Sequence, residues 1–458
     1  MTEKNKRILF LVIAIAALGL FTACNNKAAD ATEAQPVVVE ADIAPVPPAE
    51  TPIESDNAER NENREKDIEI LEKQLNAYIK LFYDIENSDK DKALNEQFQG
   101  ELKKLFDDID NLDGFDMAFR IQMITALFHD GHMLTDFMFS DYYENSYPIY
   151  FNTFADGIYC ISVYDAAYSN ALNAKIEAIN GIAIDEVFEK FQLLFTGDNI
   201  YDSKQCFGRR LHCPHILKAL DIVDNIDDPV IFTLTDLEGY SFDMQIEQMP
   251  RENQTDEITN RVEGDEAYYK SKNDPVWMDY LEDDKIMYIR MYYIPQSNEL
   301  DGMNDDLINI LENNDVDKVV LDFRINEGGM LNSIRSKLFD SLIAFGTEGG
   351  NLYVITDHDT FSMAAIITMH LKEEGNAIIV GLVPGGGNPY IGNVRKMTLN
   401  NIALTVGIPT NNAYKNGMLD FGPDIKNNII PPDIEIGINI TDYINKTDSV
   451  FELIKSME

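Results

Sequence analysis

Three stretches near the start of the chain repeat apolar residues at helical spacing. Ile68, Leu71, Leu75, Tyr78 or Ile79, and Phe82 form one stripe. Phe98, Leu102, Leu105 and Phe106 form a second, and Phe115, Phe119, Met123 and Leu127 a third. Steps of three and four match the turn of an α-helix, so residues 63–140 are predicted to be a helical N-terminal domain. Its third helix is predicted to end near His129-Asp130-Gly131-His132, with Gly131 as the stop. Over 141–250 the period shortens. PIYFNTF, GIYCISVY, VIFTLTD and SFDMQIEQM are short β-rich runs separated by turn residues. Among them KIEAINGIAIDEVFEKF reads as a strand, an Asn180-Gly181 turn and a helix beginning near Asp185. Residues 251–274 are polar and read as a connector. Over 275–458 strands (IMYIRMYYI, KVVLDF, NLYVIT, AIIVG) alternate with helices predicted over 330–345 and from about Ser362 to Lys372. That alternation implies a layered α/β domain whose working loops sit at strand ends.

The first residues follow a different logic. Lys4, Lys6 and Arg7 precede the apolar run Ile8–Phe21, which is shorter than the ~20 residues a bilayer span needs. Phe21-Thr22-Ala23-Cys24 and polar Asn25-Asn26 follow. Basic, apolar and small-residue segments in this order read as an export signal over 1–23. Cysteine after small residues resembles a bacterial lipobox, with Phe21 where Leu is usual. The resemblance implies cleavage before Cys24 and lipidation there, hence an extracytoplasmic protein held on a membrane by its lipid alone. Residues 24–62, rich in Ala, Pro and Glu, read as a disordered tether.

Composition narrows the function classes. The chain has 458 residues, 45% of them hydrophobic, enough for a real core. Against 37 Lys+Arg stand 79 Asp+Glu, a formal net charge of −42. Nucleic acid and anionic lipid surfaces both call for clustered cations, so neither is an expected partner. Beyond Cys24 the cysteines are Cys160, Cys206 and Cys213, too few for a disulfide framework; a Cys206–Cys213 bridge is left open. His212-Cys213-Pro214-His215 with Cys206 lacks the ligand pattern of a zinc site. With no P-loop or dinucleotide fingerprint, no metal and no cofactor is expected. The oligomeric state is not encoded in any pattern.

Two loops carry candidate chemistry. In Asp322-Phe323-Arg324-Ile325-Asn326-Glu327-Gly328-Gly329, paired glycines after a buried strand let backbone N–H groups face a cleft. In Asp359-Thr360-Phe361-Ser362-Met363-Ala364, a serine stands where a strand gives way to a helix. A hydroxyl there suits a nucleophile beside unsatisfied N–H donors, and equally suits an ordinary N-cap.

Taken together, D-x-R-x-N-x-G-G, then T-F-S-x-A, then AIIVG with a Gly-rich loop, and Pro432-Asp433 near the end resemble the tail-specific (C-terminal-processing) serine peptidase family. The resemblance implies a crotonase-like α/β core and hydrolysis of peptide bonds in a peptide or protein substrate. It gives Ser362 the place of the nucleophile. The backbone N–H groups of Gly328 or Gly329, with that of Met363, take the place of the oxyanion hole. The middle region, around KIEAINGIAIDEVFEKF, resembles part of a PDZ-like unit. A serine hydroxyl needs a base. Many members use a Lys at the position held here by Gly387, in a loop without any Lys, so the Ser–Lys version is excluded. A second, tricorn-like branch uses a His early in the chain in a D-x-H-T motif, which Asp130-Gly131-His132-Met133 matches at Asp and His. In that branch a carboxylate before the Pro-Asp signature orients the base; Asp420 and Asp424 both fall there.

Met133 in place of Thr, and Leu382 and Pro384 in a loop where polar residues are usual, motivate an alternative: a degenerate peptidase fold that binds peptides or acts as a scaffold.

Overall fold

The computed structural model describes residues 57–138, 142, 144–387, 391–412 and 429–457. The export segment, Cys24, the tether up to residue 56, Asp420 and Asp424 lie outside the described residues.

The three predicted helices form, at Asn57–Phe82, Asp89–Asp107 and Gly114–Ala126, but the inner face of the third is Met117, Phe119, Ile121 and Ile124, with Met123 of the expected stripe exposed and Leu127 beyond the helix end. Ser88 and Asp113 cap the second and third, accepting from the N–H groups of Asp91 and Asp116. Ile68, Leu71, Leu75, Phe98 and Leu102 are buried. Each such side chain withdrawn from water contributes roughly 1.5–3 kcal/mol. The helices do not close a core among themselves. They share it with strands of the middle region (Phe151, Ile176, Phe232) and with the hairpin Ile391–Leu399/Leu404–Asn412, through Leu399, Leu404 and Val406. The strand Thr135–Phe137 pairs antiparallel with that hairpin, Phe137 opposite Leu404.

The third helix stops differently from the sequence expectation. His129, not Gly131, takes the left-handed backbone conformation, at φ 47°. Gly131 is required for space. A Cβ there would lie 2.7 Å from the Phe361 ring and 2.9 Å from an Asp202 oxygen.

In the middle region the strands Ile149–Phe154, Gly157–Val163, Lys175–Ile179, Val230–Thr235 and Ser241–Ile246 lie side by side in that order, each antiparallel to the next. Asn180 and Gly181, both at positive φ, turn the chain into Ile182–Ala183, and the helix Ile184–Phe191 follows. The helices Ile200–Arg210 and Pro214–Ala219 are inserted before the next strand. Cys160, Cys206 and Cys213 are free thiols, so no Cys206–Cys213 bridge forms.

The third part is built on a six-stranded sheet: Val276–Leu281, Ile286–Met291, Lys318–Asp322, Asn351–Thr356, Ile378–Gly381 and Ile434–Glu435. The first pair is antiparallel and the rest are parallel. Strands that follow one another in chain order, joined by right-handed crossovers, put every connecting helix on one face. Ser297–Asn313, Lys337–Thr347 and Ser362–Gly375 all lie there, packing Leu300, Leu307, Leu342 and Ile367 on Met287, Ile289, Leu321 and Val354. The alternate residues Tyr288, Val320, Tyr353 and Ile355 face the other way, against Val450, Phe451 and Ile454 of the last helix. The described residues together form a mixed α/β fold. The helix predicted over 330–345 is broken: Leu331–Arg335 is a short 3-10 turn, and Ser336 is extended before the helix proper starts at Lys337. The Ser333 hydroxyl donates to the Pro295 carbonyl, which ties this turn to the segment before the helix Ser297–Asn313.

Candidate active site

The parallel strands end together, and three loops leave their carboxyl ends: 323–330 after Asp322, 357–361 after Thr356, and 382–387 after Gly381. In open α/β sheets this is where ligands bind.

The first loop is anchored from below. Asp322, fully buried, accepts from the Tyr288 hydroxyl and from Arg324, whose guanidinium also makes two 2.8 Å bonds to Asp448 and stacks 3.9 Å from the Tyr269 ring. Burial opposes ionisation of Asp322, but the Arg324 and Arg290 charges hold its carboxyl below the usual carboxylate range. Above this anchor the backbone is bent hard. Ile325 sits at φ 56°, a conformation a β-branched residue adopts rarely. Its N–H donates to the Asp357 carboxylate at 3.0 Å, and the Phe361 N–H donates to the Asn326 carbonyl at 2.9 Å. The first two loops are thereby laced together.

Phe361 is the N-cap of this helix and Ser362 its first residue, so the serine does not hold the cap position. It stands at φ 50°, which costs a non-glycine residue roughly 1–2 kcal/mol. Its Oγ lies 2.9 Å from Nε2 of His132. The ordinary N-cap is therefore not what this serine makes. The His132 ring packs on Phe361 with ring centroids 4.7 Å apart.

The glycines have separate tasks. The Gly328 N–H is taken up by Oδ1 of Asn326 at 2.8 Å, while a Cβ on Gly328 would lie 2.7 Å from that of Ser362. The N–H groups of Gly329 and Met363 have no acceptor among the described residues. Gly386 lies over the serine turn: a Cβ there would fall 2.7 Å from Cα of Phe361, and its N–H donates to Thr360 O at 3.1 Å.

Around His132 the charge is negative. Oδ1 of Asp130 stands 3.6 Å from Nδ1, an ionic contact longer than a hydrogen bond. Asp130 is held by the Tyr78 hydroxyl at 2.7 Å and by the His132 N–H at 2.9 Å. Burial lowers the basicity of the imidazole, but Asp130, Asp198 and Asp202 outweigh it and hold its pKa above the ordinary value. Asp202 is itself pushed up to about 8 by burial and by the charges of Asp198 and Asp359. Asp130, His132 and Asp198 offer ligand atoms within 4.8 Å of one another. Both carboxylates there already accept N–H or O–H bonds.

The structure brings together Ser362, His132, Gly328, Gly329 and Met363. His358 is occupied elsewhere, its Nδ1 2.7 Å from the Val383 carbonyl and its ring stacked on Tyr201. His212 stacks on Tyr150, and burial beside Arg251 pushes its pKa down to about 3. Sequence reasoning missed Asp198 and Asn199. The one signal they carry is Asn199 as a helix N-cap, accepting from Tyr201 and Asp202, and that pattern says nothing about His132.

No protein-family model matches the chain, and no curated protein sequence matches it. Among solved structures the chain is similar to mature CPAF complexed with lactacystin, with a TM-score of 0.58 at 11% identity, covering 86% of this chain and 98% of that one. It is similar to mature CPAF alone at 0.53 and 11% identity, covering 86% and 97%. A lower-scoring overlap, 0.38 at 11% identity over 82% and 93%, is with the photosystem II D1 C-terminal processing protease. The likeness to CPAF is one of fold.

Proposed function

We propose that the protein is a serine endopeptidase of the tail-specific kind, with a crotonase-like core, the His base of the tricorn-like branch and an acyl-enzyme on Ser362. The observation that carries the reading is the 2.9 Å contact between Ser362 Oγ and His132 Nε2, made by a serine that stands one residue past the N-cap on a strained backbone. The motif order and the CPAF-like fold support it from two further sides.

The chemistry follows from the geometry. A peptide carbonyl enters the cleft beside Ser362. His132 Nε2 takes the hydroxyl proton as Oγ attacks the carbonyl carbon, and the carbonyl oxygen becomes an oxyanion. The Gly329 and Met363 N–H groups, having no acceptor of their own, are the donors suited to hold it. The Gly328 N–H, given to Asn326, serves instead to shape the loop. The imidazolium is stabilised by the Asp130 charge at 3.6 Å, and it returns its proton to the leaving amine as the C–N bond breaks. Water, deprotonated by the same imidazole, then frees the acyl group.

The anchoring rests on sequence alone: the basic start, the apolar run and Cys24 support an extracytoplasmic lipoprotein. Among the described residues no helix is long and apolar enough to cross a membrane. The PDZ-like reading of the middle region rests on the Asn180-Gly181 turn and the helix after it. Turnover of an unstructured protein substrate tests the function. Ser362→Ala and His132→Ala are each expected to reduce it ~10³–10⁶-fold at unchanged stability, whereas equal turnover by all three proteins would sink the reading.

A further inference from the structure

Asp198 lies between the two loops that must meet for His132 to reach Ser362. The residue is 4% exposed. Oδ1 accepts from the Gly131 N–H at 2.9 Å, within the turn that carries His132. Oδ2 accepts from the Gly387 N–H at 3.2 Å, in the glycine-rich loop. That loop is in turn fixed to the serine turn, because the Gly386 N–H donates to Thr360 O. The next residue reinforces the junction: Nδ2 of Asn199 donates to the Pro384 carbonyl at 2.9 Å, while its Oδ1 caps the helix Ile200–Arg210. Hydrogen bonds thus run from the histidine turn through Asp198 to the glycine-rich loop, and on to the backbone beside Ser362. Position 387, where the resemblance would put a lysine base, has no side chain here and gives its N–H to this junction instead.

Asp130 cannot do the same work. It is two residues from His132 and moves with it, whereas Asp198 belongs to a separate segment. Asp198 also offers an oxygen within 4.8 Å of the imidazole. Three carboxyl groups face His132: Asp130, Asp198 and Asp202. Of the three, Asp130 and Asp198 also accept backbone N–H groups of the histidine turn.

We propose that Asp198 is a positioning residue for His132, tying the histidine turn to the loop that covers Ser362 and holding a negative charge beside the imidazole. The inference rests on the reading of His132 as the base, and its test separates the two. The full chain and its Asp198→Asn and Asn199→Ala variants are compared in two measurements: the rate at which a serine-reactive phosphonate labels Ser362 as a function of pH, and the NMR titration of the His132 ring. Asp198→Asn is expected to slow labelling ~10–100-fold, the scale of a small misplacement of a catalytic group. It is also expected to move both the acid limb of the rate and the ring midpoint to lower pH. Asn199→Ala, which keeps the charge, is expected to slow labelling with the midpoint unmoved. Labelling by Asp198→Asn at the wild-type rate with an unmoved midpoint would overturn the proposal and leave the hydrolytic reading standing. If wild type fails to label while the ring midpoint still falls in Asp198→Asn, the hydrolytic reading is lost and the charge contact survives. Should Asp198→Asn not fold, the wild-type titration decides: a His132 midpoint at or below ~6.5 contradicts a fixed charge beside the ring.

Discussion

Nε2 of His132 and Oγ of Ser362 stand 2.9 Å apart across 230 positions of sequence. The histidine comes from the turn after the third N-terminal helix, and the serine from the exit of a strand in the last part of the chain. The contact therefore exists only because the helical part, with the segment 197–199, packs over the carboxyl ends of the central strands.

A base of this kind works only when neutral. Asp130 and Asp198 stabilise the protonated ring, so deprotonation is delayed to higher pH than for an isolated histidine. Activity is thus lost as pH falls through a midpoint above ~6.5 and is fully present well above it. The pH profile of kcat/KM on a peptide substrate checks this, and an acid limb centred below that value contradicts it.

Gly131→Ala tests the packing that holds the imidazole. The new methyl would collide with the Phe361 ring and with Asp202, and must displace His132 from Ser362. Turnover is expected to fall about 100-fold, because an ångström of misplacement costs that much. The thermal midpoint should drop only slightly. Unchanged turnover would show that the ring has more room than the contacts imply.

Ser362 carries backbone strain that its reactivity requires. Replacing it by alanine keeps the Cβ and the strain, whereas glycine relieves it. Ser362→Gly is expected to be roughly 1–2 kcal/mol more stable than Ser362→Ala in urea unfolding. Equal stabilities would mean that φ 50° is not strained here.

Asp448→Ala removes the far partner of Arg324 and leaves the guanidinium with Asp322 alone in a buried setting. Breaking a buried pair this way costs about 3–5 kcal/mol, read as a fall in unfolding free energy. Activity at low temperature should fall as well, since Arg324 anchors the loop that carries Gly328 and Gly329. A loss under 1 kcal/mol would contradict the anchoring role.

Much of this arrangement was legible in the sequence where a local rule governs it. The first two N-terminal helices follow from their apolar stripes, and the strand ends at Asp322 and Thr356 from buried β-branched runs; the third helix forms as expected but buries Met117, Ile121 and Ile124 and leaves Met123 exposed, because an almost wholly apolar segment does not mark one face. Ser362 and His132 were legible as a motif pair but not as neighbours, because propensity predicts a cap for the serine and no period measures distance across the chain. The hairpin Ile391–Asn412 was not anticipated: its alternation is interrupted by Lys396 and by Asn400-Asn401, and only its packing on the first helix shows its use. Gly131 was read as a helix stop, whereas its small size serves the Phe361 contact. Asp198 gave no signal, because a carboxylate that accepts two distant N–H groups looks like any other acid in an acidic chain.

The most direct test of the central claim is labelling with a serine-reactive phosphonate, followed by mass-spectrometric location of the adduct. The account predicts one adduct, on Ser362, formed by wild type, absent in Ser362→Ala and slowed at least ~10³-fold in His132→Ala. A folded wild-type protein that takes no adduct, or takes it on another serine, would contradict it.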